Sequence, residues 1–442
     1  MQLISQILPI AMNKKADIPY HIFWFRRDLR LNDNIGLLKA LSAGKPVLPI
    51  FIFDSEILSE LPKDDARVHF IYQNLEKLHH HLQEKGSGLR IYQGNPLDIW
   101  KSIIKEYKID KVFCNKDYEP YAIKRDLEVS KLLEENAIEF LSFKDQVIFE
   151  EGEILKKDQT PYTVFTPYSK KWLKKLAEGG FLEVNESNWD NLAKMNAGIG
   201  SLESYGFLAS DMQVKAFNFD HAHDYNDIRD FPALDATTYL SPHLRFGTIG
   251  IRELVKDLLE ASPSLLNEII WREFFMQILF HFPKVISQNF KAKYDGIAWR
   301  NNEEEFKKWC EGKTGYPMVD AGMRQLNETG YMHNRVRMVC AGFLCKHLLI
   351  DWRWGESYFA EKLLDYELSS NNGNWQWAAG TGCDAAPYFR IFNPSEQLKK
   401  FDKNLEYVRK WIPEYDDFSY PEPMVEHKMA RERALAAYKL IM

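Results

Sequence analysis

The chain has 442 residues, enough for two or three domains with separate cores. Hydrophobic residues at 45% and charged residues at 27% are ordinary globular usage, which speaks against a disordered or fibrous chain, while 14% aromatic with 12 Trp is rich. No run approaches membrane-spanning length, and the net charge of −6 argues against a nucleic-acid partner unless Lys and Arg are gathered locally.

Residues 1–18, opening MQLISQILPIAM, are mildly apolar but lack a basic leader and a cleavage site. They read as a frayed extension, and Met12, followed by Lys14 and Lys15, is a candidate natural start. The five cysteines, Cys114, Cys310, Cys340, Cys345 and Cys383, are scattered without CxxC pairs, so no metal site or disulfide framework is expected and a reducing cytoplasm fits.

From 19 to 145, short β-rich runs alternate with helical stretches: HIFWF from His21, VLPIFIF from Val47, LRIYQG from Leu89, KVFCN from Lys111 and IEFLSF from Ile138, with helices over Ala66 to Lys85 and Pro120 to Asn136. This is the βαβ pattern of a parallel, Rossmann-like sheet. No GxGxxG follows the first strand, so no dinucleotide fingerprint is present. Residues 146–205 read as an interdomain connector. From 206 to 442 strand patterns vanish, giving an α/β domain followed by an all-α domain.

Four stretches of the helical half carry candidate chemistry. In TTYLSPHLRFG, Thr237 to Gly247, Ser241 is a suitable N-cap and Pro242 a first-turn residue, so a helix is expected there, preceded by the hydroxyls of Thr237 and Thr238. That arrangement suits a phosphate or simple capping. In Ser262 to Pro283, Leu266, Ile270, Phe274 and Ile278 form an i, i+4 row that should face the core, leaving Glu268, Trp271, Arg272 and Phe275 on another face. Those four read either as an intrahelical Glu to Arg pair or as a pocket wall that bonds and stacks a base.

In Glu311 to Gly355, Pro317 should begin a helix and Gly330 end it. A second helix then places Asn334, Arg337, Met338 and Ala341 together, with Arg335 about a quarter-turn away and free to meet a phosphate. Basic residues concentrate here and beyond, as Arg335, Arg337, Lys346, His347, Arg353, Arg390, Lys399, Lys400 and Lys403, a run that by itself reads as a solvated face. The last stretch, LLDYELSSNNGNWQW, offers Asp365 as a partner for Arg337. It continues into SSNNGNWQWAAGTGCDAAPYFRIFNP, Ser369 to Pro394, where the amides Asn371, Asn372 and Asn374 surround Gly373, and where Trp375 and Trp377 cannot share one helix face.

This block resembles the flavin-binding signature of the photolyase and cryptochrome family, and the resemblance extends over nearly the whole chain. It implies FAD, reduced in the active state, in the all-α domain. Tyr225, Thr237, Thr238, Tyr239, Leu240, Ser241, Arg337, Asp365, Tyr366, Glu367 and Asn371 would be its contacts. Glu367 stands where the family usually has Asp, so that contact has a longer reach. Asn371 matches the position facing flavin N5. Trp299, Trp352 and Trp375 match an electron-transfer triad.

The resemblance further implies DNA containing pyrimidine dimers as partner, bound through Arg229, Arg335 and Gln397. The dimer would be held by Glu268, Trp271, Arg272, Phe275, Asn334, Met338 and Trp377, with Glu268, Asn334 and Asn371 catalytic. The segment MHNRVRM, from Met332, has the single-histidine pattern of class I cyclobutane dimer photolyases rather than of (6-4) photolyases. The expected activity is light-driven repair by a carbon–carbon lyase, in a monomer. A cryptochrome-type blue-light photoreceptor is the alternative, although only 48 residues follow Pro394 for a signalling tail. The antenna is left open among folate, deazaflavin, a second flavin and none, because Tyr121 and Ala122 replace the Asn-Glu pair of folate-binding members.

Overall fold

The computed structural model describes residues 18–179, 188–196 and 198–441, so the expected N-terminal extension, apart from Ile18, and the candidate start at Met12 lie outside them. The apolar runs form five parallel strands: β1 (Tyr20–Phe25), β2 (Val47–Asp54), β3 (Arg90–Gly94), β4 (Ile109–Asn115) and β5 (Glu139–Phe143). Their order is β3-β2-β1-β4-β5. Every residue of β2 is buried, as a strand needs when helices cover both faces of its sheet. On β1, Phe23 and Phe25 pack against Leu75, Leu78 and Leu82 of α1 (Ala66–Glu84), while Ile22 and Trp24 face Val129 and Leu133 of α2 (Pro120–Glu134).

The sheet reverses direction of winding between β1 and β4, where a ligand crevice commonly forms. Here that place is filled from within. Asn115 donates to Asp28 at 2.6 Å and to Asn34 at 2.8 Å, and its Oδ1 accepts from the backbone of Gly36 at 2.9 Å.

The stretch 146–205 is more than a tether, since it carries α3 (Phe165–Ala177), whose Phe165, Tyr168 and Trp172 are buried. Beyond it the described residues hold helices and no further strand of the sheet: α4 (Leu240–Phe246), α5 (Ile251–Ala261), α6 (Pro263–His281), α7 (Pro317–Thr329), α8 (Asn334–Gly342), α9 (Trp352–Lys362), α10 (Leu368–Ala379) and α11 (His427–Lys439). The row Leu266, Ile270, Phe274 and Ile278 is buried as the i, i+4 spacing requires. Pro317 opens α7, and Gly330 closes it in the left-handed conformation at φ 70°.

Buried charge ties the sheet to the helices. Arg252 of α5 pairs with Asp33 at 2.5 Å and with Asp145 at 2.6 Å, and Arg30 meets Asp145 at 2.7 Å. Gly247 sits at φ 65° against the carbonyl of Arg27, where any Cβ would collide with backbone.

Candidate functional site

The amide-rich block forms α10, and its residues divide by face. Trp375 points into the core against Phe359 and Trp309, with ring centroids 4.9 and 6.1 Å away. Trp377 instead lines a pocket with Met338, Lys346, Arg390 and Phe392. The two tryptophans thus serve different surroundings, as their spacing requires. Asn371 is buried and donates its Nδ2 to the backbone oxygen of Glu356 on α9 at 3.0 Å, so its Oδ1 accepts no hydrogen bond from any described residue. Next to it, Asn372 donates to the Glu356 carboxylate at 3.0 Å. Burial pushes the Glu356 carboxyl up to about 7, against the opposing pull of that hydrogen bond.

Arg337 on α8 meets Asp365 at two points, 3.2 and 3.0 Å, as their residue types suggested. A third bond, from Nε to the Met332 carbonyl at 2.7 Å, fixes the guanidinium plane. Asn334 is the first residue of α8 and exposed, with Met338 one turn on. Its N-cap His333 accepts from the Arg335 backbone, and burial lowers the imidazole to about 4, keeping it neutral.

Three expectations about local geometry are corrected. Ser241 is not an N-cap: α4 begins at Leu240, and the capping position is Tyr239, left-handed at φ 52°. Tyr239 is held there by hydrogen bonds of its hydroxyl with Asp235 and with Lys215, and Thr238 Oγ1 takes the Leu240 amide at 3.4 Å, leaving Ser241 exposed in the first turn. Arg335 is not free: it pairs with Asp230 at 2.7 Å and lies over the Phe401 ring at 4.5 Å. The basic run is not one solvated face, because Lys346 and His347 are buried, at 2% and 1% exposure.

The outer face of α6 also resolves into separate pairs. Glu268 does not reach Arg272; it accepts from Arg229 at 2.7 Å, and Arg229 in turn lies over the Tyr225 ring. Burial raises the Glu268 carboxyl, with Arg229 pulling the other way. Trp271 is half-exposed and stacks on Phe165. Phe275 is only 6% exposed and abuts Gly373, where a side chain would strike its ring. Arg272 turns inward, donating to the Gln146 carbonyl at 2.9 Å and meeting Glu367 at 3.6 Å. Glu367 is spent inside the protein, its other oxygen held by Arg27 at 2.5 Å. Gln397 is half-buried with its side-chain oxygen unpartnered, and Tyr366 is half-buried beside Asp365.

Trp375, Trp352 and Trp299 belong to one packed cluster, in which Trp375 and Trp352 are buried and Trp299 is half-buried. Trp352 donates to Asn289 at 2.9 Å, and Trp299 sets its edge against Tyr438.

Comparison with known proteins fits this geometry. Residues 21–186 match the family model described as DNA photolyase, and residues 265–419 match the FAD binding domain of DNA photolyase. A deoxyribodipyrimidine photo-lyase of Escherichia coli is 37% identical, over 95% of this chain and 98% of its own. The chain belongs to the DNA photolyase family. Among solved structures, a bacterial class III photolyase from Agrobacterium tumefaciens superposes with a TM-score of 0.82 at 36% identity, covering 99% of both chains. An archaeal photolyase from Sulfolobus tokodaii, solved with two FAD molecules, gives 0.81 at 34% identity, covering 95% of this chain and all of its own.

The residues of this photolyase-family chain suit FAD. An unengaged amide oxygen on Asn371, a planar Arg337–Asp365 pair and the hydroxyls of Thr237 and Thr238 supply an acceptor, a fixed cation and phosphate-binding donors. Sequence reasoning missed Glu356, Asp230 and Phe165. Asp230 could have been found from its place beside Arg229; Glu356 and Phe165 carry no local signal, because their partners lie 16 and 106 residues away.

Proposed function

We propose that this protein is a light-driven deoxyribodipyrimidine photolyase of the class I cyclobutane type, a carbon–carbon lyase acting on pyrimidine dimers in DNA. The observation that carries this reading is the meeting of Met338 and Trp377 in one pocket, with Asn371 on the same helix as Trp377.

When bound, reduced FAD supplies the photoexcited electron that opens the cyclobutane ring and then receives it back. The chain's residues do the rest. Arg337 and Asp365 would hold the isoalloxazine, and Asn371 Oδ1 would offer it a hydrogen-bond acceptor. Tyr225, Thr237, Thr238, Leu240 and Ser241 hold the pyrophosphate side. Tyr239 and Tyr366 are further contacts, while the Glu367 contact is the weakest of the set because its carboxylate already serves Arg27 and Arg272. Arg229, Arg335 and Gln397 meet the strand. The dimer is flipped at a cost of roughly a few kcal/mol, less for a poorly stacked lesion, and is received by Trp271 and Trp377 with Glu268 and Asn334 on the pyrimidine edges. Trp299, Trp352 and Trp375 would carry electrons inward to keep the cofactor reduced.

The chain divides into an antenna-type domain over 19–145, a connector over 146–205 and the catalytic domain over 206–442. An antenna chromophore would belong to the first of these, with folate, deazaflavin and a second flavin as candidates. Among the described residues no helix is long and apolar enough to cross a membrane, and we place the protein in the cytoplasm as a monomer. Purified, flavin-loaded protein should remove cyclobutane dimers from irradiated DNA only in light. Equal loss in the dark, or repair of (6-4) products alone, would overturn the assignment.

A further inference from the structure

We propose that Phe165 is a positioning residue for substrate recognition, backing the Trp271 indole so that one face is left to receive a pyrimidine, and that Asp384 clamps Phe165 in place. This rests on the reading that Trp271 stacks on the dimer.

The rings of Phe165 and Trp271 are parallel to within 7° with centroids 3.6 Å apart. That is closer than the usual 4.5 to 7 Å of offset or edge-on aromatic pairs. One face of the indole is therefore covered, Phe275 lies tilted by 31° with its centroid 5.4 Å away, and a planar ligand would meet the part of the half-exposed ring that these two leave open. Phe274 sets its edge against both rings, at 5.8 and 5.6 Å, and closes the flank.

Phe165 is itself held at two points. It is the first residue of α3, whose preceding Val164 provides no side-chain cap, and its amide donates instead to Asp384 Oδ2 at 2.9 Å. A carboxylate at a helix N-terminus satisfies an orphan donor and opposes the positive end of the helix. Further along α3, Trp172 and Tyr168 donate to Glu273 of α6 at 2.6 and 3.2 Å. The same carboxylate accepts from the backbone of Ile148 and Phe149 at 2.7 and 3.2 Å. Helix α3 cannot slide along α6 without breaking these bonds, so the stack keeps its register.

Asp384 lies in the loop that follows α10, the helix carrying Trp377. The clamp thus joins the two indoles assigned to the lesion: one is backed through Phe165, and the other precedes the loop that supplies the clamp. A platform fixed before the ligand arrives loses less side-chain freedom on binding.

The test compares dark binding of flavin-loaded protein to DNA with and without a cyclobutane dimer, reading the ratio of the two dissociation constants. Phe165→Leu keeps most of the buried volume and removes the ring face; it should lower the ratio about 3- to 10-fold with flavin content unchanged, and Phe165→Tyr should restore it. In a Trp271→Ala background, Phe165→Leu should have no further effect. An unchanged ratio in Phe165→Leu, or an effect that adds in full to Trp271→Ala, overturns the proposal. Asp384→Ala leaves the aromatic core intact and should lower the ratio about 2- to 3-fold; no change refutes the clamp. If Trp271→Ala itself leaves the ratio unaltered, the stacking role of Trp271 fails and the present inference with it.

Discussion

Arg229 and Glu268 hold each other at 2.7 Å, the guanidinium of a short turn closing on the carboxylate of α6. Each partner is thereby kept from the contact assigned to it, a phosphate for one and a pyrimidine edge for the other. Binding of a lesion must exchange one ion pair for two new contacts. The pair is partly exposed, at 38% and 35% for the two side chains, so opening it costs little, about 0 to 1 kcal/mol.

Glu268→Ala should therefore have two effects of opposite sign. Preference for dimer-containing DNA falls about tenfold or more, the scale of a hydrogen bond to a charged group, while undamaged DNA binds slightly tighter because Arg229 is released. FAD content should not change. Fluorescence anisotropy on both DNAs, with flavin absorbance as control, checks this; a parallel drop on both would show that Glu268 reads no damage.

The bond from Arg335 to Asp230 leads to a prediction on salt. Asp230→Asn frees the guanidinium and should strengthen binding to damaged and undamaged DNA by similar factors, whereas Arg335→Ala weakens both and reduces the log-log salt slope by about 0.7 to 0.9. A salt titration of both variants decides it. If Arg335→Ala altered only the damaged complex, Arg335 would be reading bases instead of phosphate.

Trp299→Phe should block photoreduction of oxidised FAD and leave repair intact once the flavin has been reduced chemically. Flash absorbance and a dithionite-primed repair assay separate the two. Unchanged photoreduction would remove Trp299 from the route, and Trp352 becomes the next candidate.

Lys346 gives a prediction on stability. It is buried with one hydrogen bond, to the Ala379 carbonyl at 2.6 Å, and Tyr438 lies against its ammonium at 3.7 Å. Burial lowers its pKa from 10.5 to about 7. A depressed folded pKa gives stability that is complete above the unfolded value and lost as pH falls through the folded one, so between pH 7.5 and 9.5 stability should rise, at most about 1.4 kcal/mol per pH unit. Urea unfolding across that range should show the slope in the wild type and not in Lys346→Met. A slope that persists in the variant assigns it to other groups.

The sheet and the main helices were legible because their signals are local. Apolar runs such as VLPIFIF, the Pro317 start and the Gly330 stop each sit within a few residues of the element they define. The separation of Trp375 from Trp377 follows from helical geometry alone. What the sequence hid was pairing across distance. Arg335 reads as a free cation until Asp230, 105 residues away, is seen beside it, and Glu367 reads as a ligand contact until Arg27 arrives from the end of β1. Ser241 misled for a different reason: Ser-Pro is a good local cap, but Tyr239, bonded to Lys215 and Asp235, takes the capping position and α4 starts two residues early.

The same bond from Arg27 to Glu367 bears on the use of light. It joins the end of β1 directly to the N-cap of α10, and the buried Arg252, Asp33 and Asp145 set makes a second attachment. The joint between sheet and helices is thus made of desolvated charges. Any pigment seated on the sheet would keep a constant angle and distance to a flavin beside Asn371, so the efficiency of excitation transfer between them would be set by the fold and would not vary as the two halves fluctuate.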